Sequence, residues 1–333
     1  MELSNFTGGA GRDFPQPYDG PSGTSLRTKW EERARKGDFR GAWQVSDRAL
    51  EVNRYKDFSG APEHLKPVWN GQRLDGKRVL VRCFHGLGDT IQFARFIPHL
   101  ADIAADVVVH AQDSLVDLLE PLSAKARMIS RHEPTPNECD VEIEIMELAH
   151  AFRTELDTIP TNVPYITARP IPVYGESALK VGLVWQAGDW DDRRSIPFQA
   201  LQPWSDTPGV EFYSLQLDPV AAGWHNDFGQ VLDAWSLIKT AGLMCSLDLI
   251  ISVDTMAAHL AGALGRPVWT LLKADADWRW MQDRSDSPWY PTMRLFRQSR
   301  QGDWSDVVES VRNDLLALSQ ETIGGGDRNR TDE

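Results

Sequence analysis

Residues 247–272, LDLIISVDTMAAHLAGALGRPVWTLL, decide the fold. Leu247 to Val253 is a short, nearly continuous apolar run, the pattern of a parallel strand covered on both faces. Asp254 and Thr255 break the run, and Met256 to Leu264 is rich in Ala and Leu, with small residues spaced for close helix packing. Gly265 ends that helix, Pro267 follows it, and Val268 to Leu272 begins a second apolar strand. The unit is strand–helix–strand with a tight turn at the C-terminal end of the first strand. Ligands of open α/β sheets bind at such ends, where a helix N-terminus offers N–H groups and positive dipole to an anion. The Thr255 hydroxyl and His259, one turn into the helix, would sit beside that anion, for which a nucleotide diphosphate is the natural candidate. The competing reading makes Asp254 or Thr255 an ordinary N-cap and His259 a packed core residue.

A second strand-to-helix turn lies upstream. Lys77 to Phe84 (KRVLVRCF) reads as a strand, and HGLGDTIQFARFIPHLADI follows at 85–103. Gly86 and Gly88 permit a tight turn with close backbone approach. Ile91, Phe93, Ala94, Ile97 and Leu100 then recur at helical spacing over Thr90 to Ile103. Asp89 therefore stands at the mouth of a sheet. As a plain N-cap it would be unremarked; as a carboxylate kept ionised by the adjacent N–H groups, it suits a base that strips a proton from a hydroxyl.

Further elements flank these turns. Leu26 to about Val52 has helical apolar faces, with Lys36-Gly37-Asp38 as the turn between two helices. Asp106 to Ala111 and Ala126 to Ile129 read as strands, and Ser114 to Leu122 as a helix. Cys139 to Ile145 alternates as a half-exposed strand would; its acidic residues fit a solvated face better than a metal site. Lys180 to Trp185 opens a second strand-and-helix half. QAGDWDDRRSIP follows at 186–197, a polar loop whose Arg193 and Arg194 either fork onto phosphate oxygens or pair with Asp189, Asp191 and Asp192. Val210 to Gln216 is the next strand, and Ser236 to Met244 a helix. Trp278, Trp280, Trp289 and Tyr290 gather near Asp275, Asp277 and Arg279, where aromatics stack a base or sugar or wedge two domains together. Val307 to Leu318 is the final amphipathic helix, with GGGDRNRTDE as a tail.

VDTMAAHLAGALGRPVW and GLGDTIQFARFIPHL resemble glycosyltransferases related to the ADP-heptose–lipopolysaccharide heptosyltransferases, and more closely the transferase-like region of bacterial tetratricopeptide-repeat proteins. GDFRGAWQVSDRAL resembles one degenerate tetratricopeptide unit; a single pair of helices must pack on its neighbour, as a buttress rather than a peptide-binding array. The resemblance spans about Trp69 to Trp304 and implies an α/β fold of GT-B type, two Rossmann-like domains facing a cleft, with a short helical N-terminal extension. It places Asp254, Thr255, the Met256 backbone and His259 at a nucleotide-sugar diphosphate. It makes Asp89 the catalytic base, favours Arg194 as the basic residue, and offers Gln216 for a base or ribose edge. His85, Gly86 and Gly88 are the acceptor-side candidates. Met256 stands where the motif usually has Gly after the Thr, and Phe84-His85 where relatives often have Glu-Gln.

The implied domains are 1–24 disordered, 25–62 a helical hairpin, 63–170 an acceptor domain, 171–320 a nucleotide-sugar domain and 321–333 a disordered tail. Composition agrees with a globular chain: 41% hydrophobic, 25% charged, net charge −13. That charge argues against nucleic-acid partners. No apolar run reaches membrane-spanning length, the first residues lack a signal-peptide pattern, and Cys83, Cys139 and Cys245 have no metal-ligand spacing; a cytoplasmic protein with reduced thiols follows as the expectation. The function expected is an inverting glycosyltransferase using an ADP- or UDP-type nucleotide sugar, with no metal or other cofactor, and a glycan, lipid or protein acceptor. The rivals are a non-catalytic transferase-like scaffold, supported by the Met256 and Phe84-His85 departures, and a nucleotide-sugar epimerase.

Overall fold

The computed structural model describes residues 25–54, 68–135, 138–175, 177, 179–188, 191–225, 227–234 and 236–328. The disorder expected for 1–24, and the start of the connector expected at 63–77, lie outside the described residues. The chain forms two compact units. One holds the described residues up to Thr167 together with Ala276–Arg284; the other holds Ala168–Asp275 and the chain from Ser285 onward.

The N-terminal unit begins with two helices, α1 (Leu26–Arg35) and α2 (Phe39–Asn53). Ser25 caps the first by accepting from Thr28 N–H at 3.1 Å, and Asp38 caps the second by accepting from Gly41 N–H at 2.9 Å. Gly37 makes the turn between them at φ +75°, where a side chain would be strained. Trp30, Phe39 and Trp43 bury the inner faces, and the Trp43 indole N–H donates to the Thr154 carbonyl at 2.7 Å. His150 stacks on Trp43, so the hairpin is packed onto the body of this unit.

That body is a four-stranded parallel sheet of β1 (Arg78–Arg82), β2 (Asp106–Ala111), β3 (Ala126–Ser130) and β4 (Val141–Glu144), in the order β3-β2-β1-β4. Val79 pairs with Val107 on one side and Val141 on the other, which makes β1 central and its end the middle of the sheet edge. The helices are α3 (Leu87–Phe93), α4 (Ile97–Ile103), α5 (Asp113–Leu119) and α6 (Leu148–Ala151). The single helix expected over Thr90 to Ile103 is divided by a 3-10 turn at Ala94–Phe96, just ahead of Pro98, which has no N–H to continue the α ladder. The half-exposed strand expected at 139–145 is largely buried: of Val141–Glu144 only Glu142 is half-buried, and Glu144 is engaged in hydrogen bonds.

The C-terminal unit has a six-stranded parallel sheet, β5 (Leu179–Val184), β6 (Val210–Ser214), β7 (Gln230–Val231), β8 (Leu249–Val253), β9 (Val268–Leu272) and β10 (Met293–Arg297), ordered β10-β9-β8-β5-β6-β7. Its helices are α7 (Leu237–Met244), α8 (Met256–Ala263) and α9 (Ser305–Arg328). Strand β8 is buried along its whole length, as its apolar run requires. Gly265 lies at φ +67°, the left-handed conformation that ends α8. One face of the sheet packs Trp185, Phe198, Trp204, Phe212, Trp224 and Phe228 into a core with Val307, Val311 and Leu315 of α9. The Trp185 and Trp204 indole N–H groups donate to the Ala222 and Val308 carbonyls, both at 2.9 Å, so the burial leaves those donors satisfied. Helix α9 runs on through the glycines at 324–326 to Arg328, and residues 329–333 of the tail expected from residue 321 lie outside the described residues. Glycine weakens a helix by about 1 kcal/mol per residue but, unlike proline, does not forbid it.

Candidate active site

In the N-terminal unit the reactive groups collect where β1 and β4 end. Gly86 is the N-cap of α3, in extended backbone at φ −67° and ψ 160°, so its turn does not itself demand glycine. Its N–H donates to Asp89 Oδ2 at 3.1 Å. Asp89 Oδ1 accepts from Arg279 Nη2 at 2.7 Å, and the Asp89 side chain keeps 23% of its exposure. A carboxylate held on both oxygens, yet partly open to solvent, is oriented without being walled off. Gly88 is half-buried in the first turn of the same helix.

His85, one residue before Gly86, is held by Glu144 at the end of β4: His85 Nδ1 lies 3.0 Å from Glu144 Oε1. The other Glu144 oxygen accepts from Met146 N–H at 2.7 Å. Gln112 Nε2 donates to the His85 carbonyl at 2.8 Å, and the Thr90 hydroxyl donates to Gln112 Oε1 at 3.0 Å. Glu147 lies behind this network. Burial pushes its carboxyl up to about 8; the Glu144 and Trp69 backbone N–H groups oppose the shift, while the Glu144 charge adds to it. Glu144 and Arg279 gained no site role from the sequence. Arg279 reads there as one charge among tryptophans, and its partner Asp89 lies 190 residues earlier.

In the C-terminal unit the turn after β8 gathers four of the expected residues. Thr255 is the N-cap of α8, accepting from Ala257 N–H at 3.2 Å and lying 3.2 Å from Ser252 Oγ. Met256 begins the helix and is half-buried. Asp254 is buried, and its carbonyl accepts from Arg194 Nη1 at 2.7 Å. Arg194 is itself buried, with Nε directed at the Asp191 carbonyl at 3.4 Å, so its guanidinium ties the β5 loop to the β8 turn. Its neighbour Arg193 is the exposed member of the pair, at 54% of the side chain, and forks onto Asp191 through Nε at 2.7 Å and Nη2 at 2.9 Å.

Two expected residues are placed otherwise. His259 is 3% exposed, with Nδ1 3.0 Å from the Tyr290 hydroxyl, in the core under α8. Gln216 uses its carboxamide oxygen to accept from Trp185 N–H at 3.1 Å and Gln186 N–H at 2.9 Å, which fastens the exit of β6 to that of β5. The sequence reading missed Lys273, directly after β9. It is 8% exposed, and its Nζ meets Asp191 Oδ2 at 2.8 Å and Asp275 Oδ1 at 3.2 Å. Burial works to raise the Asp191 carboxyl, but Arg193 and Lys273 outweigh it and hold the group at about 2. A cation at a strand end was a signal available in the sequence. Among the described residues, no group of three or more His, Cys, Asp or Glu is placed to hold a metal ion, and no helix is long and apolar enough to cross a membrane.

No family model matches the chain. Protein FlbA of Caulobacter vibrioides is 25% identical over 302 residues, which cover 78% of this chain and 50% of FlbA. Among solved structures, the iron-containing dodecameric glycosyltransferase TibC from enterotoxigenic E. coli superposes with a TM-score of 0.50 at 12% identity, covering 78% of each chain. E. coli heptosyltransferase WaaC with ADP-2-deoxy-2-fluoro heptose gives a TM-score of 0.47 at 14% identity, over 72% of this chain and 99% of that one. The likeness to TibC is one of fold: two parallel sheets with their helices. The chain spans about half the length of FlbA, the curated relative it matches.

Proposed function

We propose that the chain is a heptosyltransferase-like glycosyltransferase that moves a sugar from a nucleotide sugar to an acceptor hydroxyl with inversion. The observation that carries the proposal is Asp89. It is a partly exposed carboxylate at the end of a central parallel strand, steered by Gly86 N–H and Arg279. In the proposed step Asp89 takes the acceptor's O–H proton, and the acceptor oxygen bonds to the anomeric carbon. The bond from that carbon to the diphosphate oxygen breaks on the opposite face, and the nucleoside diphosphate leaves. The donor is assigned to the C-terminal unit, at the Asp254-Thr255 turn and the Met256 backbone. There Arg193 offers the exposed guanidinium for the leaving charge, and Arg194 shapes the turn. The twin-domain GT-B arrangement with a cleft, an ADP- or UDP-type donor, and a glycan, lipid or protein acceptor belong to the same proposal. Support comes from the fold shared with TibC and from the two sequence stretches that resemble the heptosyltransferases.

A second reading, a transferase-like body without catalysis, is favoured by one observation. Asp89, Arg194 and His259 all spend hydrogen bonds on protein partners. Thermal unfolding with ADP, UDP, GDP and their sugars separates the two, because a ligand at about 100 times its Kd adds about 2.7 kcal/mol of stability. The transferase reading expects one nucleotide class to raise the Tm and Arg193→Ala to reduce the shift. A flat response to the whole panel favours the scaffold.

A further inference from the structure

The segment Ala276–Arg284 belongs to the N-terminal unit, although the sequence reading placed it in the second domain. Its centre is a 3-10 turn, Trp278–Trp280, capped by Asp277. The Asp277 carboxylate accepts from Arg279 N–H at 3.1 Å and faces Arg279 Nη1 at 3.2 Å, while Nη2 reaches Asp89 at 2.7 Å. The guanidinium also lies 5.4 Å from the Trp278 ring centroid. With 10% of its side chain exposed, Arg279 has its fork directed from several sides at once. Trp278 in turn meets Trp30 of α1 edge-on at 5.0 Å and Phe39 of α2 at 6.0 Å. Met281 follows at φ +51°, a left-handed conformation that a non-glycine residue keeps only when its surroundings hold it there.

We infer that Arg279 is a positioning residue for Asp89, and that the α1–α2 hairpin holds Arg279 in place through Trp278. The inference rests on the transferase reading for what Asp89 does, and it gives the hairpin a part in the site beyond support. Asp89 has two anchors: Gly86 N–H on one oxygen and Arg279 on the other. Without the second, the carboxylate swings about its χ angles, and the Gly86 hydrogen bond opens with it. Lysine at position 279 keeps the charge and loses the planar fork.

The test is amide hydrogen exchange on the full chain for wild type, Arg279→Met, Arg279→Lys and Trp30→Leu, with nucleoside diphosphate release from a panel of ADP-, UDP- and GDP-sugars measured in parallel. Exchange at the β1, β2 and β4 amides, in the same unit as the substitutions, reports that each variant is folded there. Gly86 N–H is expected to exchange about tenfold faster in Arg279→Met and in Trp30→Leu, with partial rescue in Arg279→Lys. In Arg279→Met, kcat should fall while the KM for the donor holds. Unchanged Gly86 exchange in Arg279→Met overturns the positioning role, and unchanged exchange in Trp30→Leu alone overturns the hairpin's part in it. Faster Gly86 exchange in a protein that releases no diphosphate from any donor upholds the positioning and removes the transferase reading instead.

Discussion

Glu147 is a carboxyl almost cut off from water, at the edge of a network containing His85 and Glu144. Its folded value of about 8 stands above the ordinary 4.5, so the native state prefers the protonated form. The stability this group contributes is whole below about 4.5 and is lost as pH rises through about 8. Glu147→Gln keeps an acceptor for Glu144 N–H and cannot ionise, so its stability should stay flatter across that window. Urea midpoints from pH 5 to 8.5 check this, and parallel curves for the two proteins would contradict it. At this scale the sequence was informative about position and poor about partners. Asp89 was legible because a small carboxylate follows Gly-Leu-Gly at a strand end. Arg279 was not, because nothing local ties it to a residue 190 positions away. Arg193 and Arg194 look equivalent in sequence. A 3-10 turn advances about 120° per residue, which sends one guanidinium to solvent and the other into the β8 turn.

Helix α8 illustrates how an element's sequence can obey packing rather than propensity. Gly262 sits inside it, where Ala would gain about 1 kcal/mol of helix propensity. A Cβ at that position would lie 2.5 Å from the Tyr290 ring, and that ring also holds His259. Overpacking of this kind costs about 1–3 kcal/mol against that gain of about 1 kcal/mol, so Gly262→Ala should lose up to about 2 kcal/mol. A urea midpoint equal to or above wild type would show that Tyr290 yields freely. The small residues of 256–264 were legible as a close-packing face; that the ring beneath was Tyr290 was not, since it arrives from an irregular stretch. Long apolar runs announced β2, β5, β8 and β9. Strand β7 has two exposed residues, and β10 (MRLFR) carries arginines among its apolar positions at the sheet edge, so neither stands out.

At the scale of the whole molecule, two parallel sheets each end in a polar turn, and the strand order puts the turns after β1 and β8 in the interior of their sheets. The fold is that of TibC, and 25% identity to half of FlbA leaves substrate and partner to experiment. The two-sheet architecture was readable because each half repeats the pattern of apolar strand, polar turn and helix. The return of Ala276–Arg284 to the N-terminal unit was not, because a change of unit within a tryptophan-rich stretch has no local signature. In the proposed function the turn carrying Asp89 performs glycosyl transfer, and water serves as a slow acceptor. The most direct test is the release of nucleoside diphosphate from ADP-, UDP- and GDP-sugars by wild type and Asp89→Asn, with donor binding followed alongside. Release from one donor class is expected, with a fall of about 10²–10⁴-fold in Asp89→Asn and unchanged donor affinity. Equal release by the two proteins would contradict Asp89 as the base, and no release from any donor would contradict the transferase itself.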